Sequence, residues 1–73
     1  MEHPMKNAYV GFILLHQRDM LTREVEPIFI RMDDISCVST QTIAGQIYTK
    51  IMLNNQQVVY AIESINEIME EIA

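Results

Sequence analysis

The chain has no tryptophan, a single cysteine, two glycines, two prolines and only five basic residues among its 73. Each shortage excludes something. Cys37 alone cannot form an intramolecular disulfide, and no Cys/His spacing matches a zinc site. Gly11 and Gly45 stand far apart, so there is no glycine-rich loop to cradle a phosphate. No segment approaches the roughly 20 apolar residues needed to cross a bilayer as a helix. The first ten residues, MEHPMKNAYV, lack the basic region, apolar stretch and small-residue cleavage site of a signal peptide. The expected location is therefore cytoplasmic. Five basic residues against ten acidic ones leave a net charge of −5, which argues against general binding to nucleic acid, whose affinity comes largely from phosphate neutralisation.

What remains is a chain that is 49% hydrophobic, ordinary for a folded protein and too apolar for disorder throughout. Its length allows one domain, near the lower limit at which a single core holds a fold without a disulfide or metal. Good packing or association with another chain has to take their place. Residues 1–8 read as a flexible lead-in, and residues 9–73 as the domain.

Tyr9 to His16, YVGFILLH, has strand composition, followed by a polar connection, QRDMLTREVE. Pro27 is expected to open the next strand, PIFIRM, which Asp33-Asp34 ends in a turn. Strand character resumes at 35–42, bends at Gly45, and runs through 47–53 with Ile47, Thr49, Ile51 and Leu53 alternating with Tyr48, Lys50 and Met52. Asn54-Asn55 suits the positive φ of a tight hairpin returning into QQVVYAI. Ser64 followed by Glu67 spells a helix-capping box, and Ile65, Ile68, Met69 and Ile72 then fall on one helical stripe. A helix this short is unstable alone, so its stripe must pack on the sheet. The fold class expected is α+β: a mostly antiparallel sheet of four or five strands with one short C-terminal helix on one face.

One helix covers one face, yet both faces carry large apolar groups. The second face must be covered by the N-terminal segment, by closure into a barrel, or by another chain. Self-association is the favoured expectation, through Phe29, Tyr48, Met52 and Val59, because a bare apolar patch is uncommon on a soluble monomer.

Candidate chemistry is sparse. Asp33 and Asp34 could in principle bind a metal, but sequence neighbours rarely point the same way, and a turn explains them. His16 at a strand end reads as a solvated or capping imidazole. Cys37 lacks a basic sequence neighbour and reads as a buried, inert thiol. Six methionines suit adaptable packing or a partner surface. The chain is expected to be no enzyme and to need no cofactor or metal. The rival function is nucleic-acid binding through Arg18, Arg23, Arg31 and Lys50, although these sit among Asp19, Glu24 and Glu26.

Residues 27–72, in IFIRMDDISCV and TKIMLNNQQVVYAIESINEIMEEI, resemble the FlbD/SwrD-like small flagellar and swarming proteins of bacteria. That resemblance implies a short strand, an acidic turn, a further strand, a hairpin and an acidic C-terminal helix. Glu63, Ser64, Glu67 and Ile68 stand where that family ends in ES-x-x-E-[IV]. It implies a small bacterial regulatory protein with no catalytic residues. A fainter likeness to LytTR-type DNA-binding domains rests on the x-x-D-I strand before the hairpins.

Overall fold

The computed structural model describes residues 8–9 and 11–72. The lead-in expected over 1–8 thus lies, Ala8 apart, outside the described residues. The strands are β1 (Ala8–Tyr9), β2 (Phe12–Arg18), β3 (Val25–Arg31), β4 (Ile35–Ile43), β5 (Gln46–Leu53) and β6 (Val58–Ala61), and the helix is α1 (Ile65–Ile72). All pairings are antiparallel. The class is α+β, as the sequence implied.

Several local expectations change. The strand over Tyr9 to His16 is broken at Gly11, whose φ of 78° turns the chain so that β1 folds back on the start of β2. Strand β2 then runs on to Arg18, and the polar connection shrinks to residues 19–24. Asp19 closes it: its Oδ1 accepts from the N–H groups of Leu21 (2.7 Å) and Thr22 (3.1 Å). Pro27 lies inside β3 rather than at its start, opposite His16. A proline is tolerated there because, among the described residues, β3 has one ladder partner.

Ala44 and Gly45, at φ of 51° and 81°, make the two-residue turn between β4 and β5. The next hairpin differs from the Asn-Asn turn expected. Gln56, at φ 71°, takes the left-handed position, and Gln56 N–H donates to Leu53 C=O. Asn55 instead accepts from Gln57 N–H through its side chain.

The ladders require the sheet to coil. Gln17 faces Ala61, Ala61 faces Thr49 and Thr49 faces Thr40, so these four share one level. The end of β3 is opposite Phe12, five residues to one side of that level; the start of β4 is opposite Leu53, four residues to the other. On a flat sheet the two ends would stand roughly 30 Å apart along the strand axis alone. The chain joins them through Met32–Asp34, a single 3₁₀ turn that could span about 14 Å even if extended. Hydrogen bonds confirm the closure. Met32 N–H donates to Gly11 C=O, and Asn54 N–H donates to Asp34 C=O. One turn therefore ties the start of β2 to the end of β5. The strands, in the order β3-β2-β6-β5-β4, wrap into an incompletely closed barrel; among the described residues no ladder joins β3 to β4.

The core is the concave side of that coil. Ile13, Leu15, Ile30, Ile51, Val59, Ala61 and Ile68 form it, with Ile28, Met32, Ile35, Val38 and Leu53 packed around them. Burying each of the larger aliphatic chains contributes about 1.5–3 kcal/mol. Helix α1 seals the barrel with Ile68. Its capping box is formed as read: Ser64 N–H donates to Glu67 Oε1 at 2.8 Å and Glu67 N–H to Ser64 Oγ at 3.1 Å. The stripe is only partly used. Ile68 is fully buried and Ile65 half-buried, whereas Met69 is 48% exposed and Ile72 is also exposed.

Candidate functional site

The convex side of the barrel carries the side chains that could meet a partner. Strand alternation and the ladder registers place them in rows. Arg18, Tyr60, Lys50 and Ser39 make one row across β2, β6, β5 and β4. On one side of it lie Val58, Met52 and Cys37. On the other lie His16 with Pro27, and beyond them Leu14 with Phe29. Phe12, two residues from Leu14, continues that end. The convex face thus holds two apolar groups, Phe12/Leu14/Phe29 and Cys37/Met52/Val58, with a cation–aromatic row between them. Phe29 is 53% exposed, Phe12 and Val58 are exposed, and Met52 and Leu14 are half-buried.

Of the four contact residues expected from sequence, Phe29 and Met52 lie on this face, though in different groups. Val59 does not. It faces Ile51 across the β5–β6 ladder, points into the barrel and is 5% exposed, so it is a core residue. Tyr48 has the convex orientation but is 2% exposed, outside the core cluster, with its hydroxyl lacking a hydrogen-bond partner among the described residues. Sequence alternation alone cannot distinguish an outward side chain that is covered from one that is bare.

The four basic residues are only partly gathered. Arg18 Nη1 donates to the Arg23 carbonyl at 2.7 Å, and Lys50 lies across Tyr60 from Arg18. Arg31 is at the far end of β3, opposite Phe12, roughly 20 Å along the strand from the level of Arg18.

The sequence marks Glu63 only as the start of the family-like ES-x-x-E ending and gives it no partner. Just after β6 ends, its Oε1 accepts the His16 backbone N–H at 3.0 Å and its Oε2 accepts His16 Nδ1 at 2.7 Å. Its carbonyl accepts the hydroxyl of buried Thr49 at 2.6 Å. An ionised carboxylate only accepts, so in this pair Nδ1 is the donor. The arrangement orients an imidazole, but Thr49 gives its hydroxyl proton to a carbonyl rather than to His16, and Cys37 is three strands away across the ladder. No hydroxyl or thiol is hydrogen-bonded to the His16 imidazole among the described residues. The only sequence signal for this contact is a carboxylate placed just before a helix cap.

Asp33 and Asp34 form the turn expected, here a 3₁₀ turn held by their carbonyls rather than by a carboxylate: Asn54 N–H donates to Asp34 C=O at 2.8 Å and Asn54 Nδ2 to Asp33 C=O at 3.1 Å. Cys37 is exposed, against the buried thiol expected, because the bulge between Ile35 and Cys37 shifts it to the convex side. Among the described residues no group of His, Cys, Asp and Glu is arranged to hold a metal ion. No helix there is long and apolar enough to cross a membrane. A groove of about 190 Å³ runs along α1, lined by Leu15, Glu63, Glu67, Glu70 and Glu71. Its acidity repels anions. No known family model, curated protein or solved structure matches the chain.

Proposed function

We propose that this chain is a small, non-catalytic interaction and regulatory module that self-associates through the convex face of its barrel. The observation that carries the reading is the apolar surface left there after the core is full, with Phe29, Phe12 and Val58 exposed and Met52 beside Val58. A domain this small gains stability by covering such surface. The likeness of residues 27–72 to FlbD/SwrD-like proteins makes bacterial motility the process in which to seek its partners.

Light scattering behind a sizing column, over a dilution series, tests the reading. The wild type is expected to be a dimer or larger species. Met52→Glu is expected to keep the circular-dichroism spectrum and lower the mass. An unchanged mass with a stable fold sinks the assignment of this face.

The row Arg18–Tyr60–Lys50 supports a second reading, in which two cations flanking an aromatic ring hold a nucleic-acid strand. It requires binding to mixed oligonucleotides at low salt that weakens as salt rises and in Lys50→Ala. Absence of any shift at low salt dismisses it.

A further inference from the structure

Among the described residues both rims of the coiled sheet are strands with one ladder partner each, β3 and β4. An unpaired rim is a template for another strand, and proteins guard such rims with proline, charge or a bulge. Strand β3 is guarded by Pro27, Glu26 and Arg31. Strand β4, ISCVSTQTI, is nine residues long with no proline and no charge, and its one bulge lies at its start, between Ile35 and Cys37.

The turn at Ala44-Gly45 decides which of its backbone groups are free. In a two-residue hairpin the flanking residues, here Ile43 and Gln46, exchange both hydrogen bonds, and bonded pairs then alternate along the ladder. Gln41, Ser39 and Cys37 therefore bond to β5, while Thr42, Thr40 and Val38 turn their N–H and C=O groups to the rim. Ser39, Thr40 and Thr42 are exposed.

We infer that β4 pairs antiparallel with β4 of a second copy of this chain, about a two-fold axis at Thr40. The inference rests on the self-association reading and names the backbone contact by which copies meet. In this register Thr40 faces its own counterpart, Val38 faces Thr42, Ser39 faces Gln41 and Cys37 faces Ile43. About six inter-chain backbone hydrogen bonds form. A second copy is the fitting occupant because the contact is self-complementary, as a two-fold interface must be. Every facing pair is uncharged, so a chain of net charge −5 meets itself at the strand where repulsion is least. Central Thr–Thr and flanking Ser–Gln pairs add side-chain contacts across the axis.

The test uses Thr40→Lys and Thr40→Glu, whose charges would face themselves across the axis. Each variant alone is expected to run as a monomer with unchanged circular dichroism. A one-to-one mixture of the two is expected to recover the dimer mass, a result that misfolding cannot produce. Thr40→Pro, which removes an N–H that does not bond β5, is expected to be monomeric as well. A dimeric wild type whose Thr40 variants all remain dimers overturns this contact, and leaves the convex-face reading standing if Met52→Glu then dissociates it. A wild type that stays monomeric at every concentration overturns both.

Discussion

His16 and Glu63 are joined twice, main chain to carboxylate and imidazole to carboxylate, at the point where β6 stops pairing with β2. Ile62 N–H has just bonded to His16 C=O, so the Glu63 side chain supplies the acceptor that the departing strand no longer offers. With its carbonyl on Thr49, Glu63 fastens β2 and β5 to the entry of α1.

Glu63→Ala is therefore expected to destabilise the fold by about 1–3 kcal/mol, since it strips the acceptor from a backbone N–H in a part-buried place. Glu63→Gln, which keeps an acceptor oxygen, is expected to lose less. Urea denaturation compares them. Equal losses from both would mean that charge, not acceptor geometry, holds the junction.

The helix stripe splits into positions of unequal weight. Ile68→Ala opens a cavity in the core and is expected to cost about 2–5 kcal/mol, enough to unfold much of the population. Met69→Ala, on the exposed part of the same stripe, is expected to stay within about 1 kcal/mol of the wild type. Thermal melts of the two give the contrast directly, and similar losses would contradict the packing described.

At the β4–β5 turn, Ala44 holds φ 51°, a conformation costly to any residue with a Cβ. Ala44→Gly is expected to raise stability by about 0.5–1 kcal/mol, the relief of strain exceeding the added freedom of the unfolded chain. Gly45→Ala, at φ 81°, is expected to lower it by at least about 1 kcal/mol, although nothing stands within 4 Å of the added Cβ. The midpoints of chemical denaturation should move in opposite directions.

Acid should loosen the β2–β3 loop in a defined window. The backbone N–H groups of Thr22 and Leu21 hold the Asp19 carboxyl below its ordinary value of 3.8. The unfolded chain, with the higher value, takes up its proton first as the pH falls. The contribution of Asp19 is thus whole above about 3.8 and is lost as the pH drops through the lower folded value. Nuclear magnetic resonance should show the Leu21 and Thr22 amide shifts titrating together below that point. Asp19→Asn should abolish the titration, and amide shifts that move at near-neutral pH would contradict the assignment.

Much of the local structure was written in neighbouring residues. The capping box at Ser64 and Glu67 satisfies backbone groups three residues apart, so local spacing suffices to find it. Alternation in β5 separates Ile51 from Met52 for the same reason: the pleat has a period of two. The Gly11 break and the place of positive φ at Gln56 were not legible, since both depend on how two strands are brought into register. The exposure of Cys37 is not legible in the sequence, because a bulge moves a residue to the other face of the sheet without leaving a mark in composition.

The sequence by itself determined the α+β class, the antiparallel hairpins, the capped helix and a core built from alternate aliphatic residues, because these follow from contacts between near neighbours. Only the tertiary structure decided that the sheet coils, that Val59 is inside and Phe29 outside, that Glu63 fastens β2 to the helix entry, and that β4, with α1 packed against it, keeps one ladder partner among the described residues. Those features depend on residues such as Gly11 and Asn54, far apart in the chain, meeting at one short turn, and closure of that kind is set by the geometry of the whole sheet.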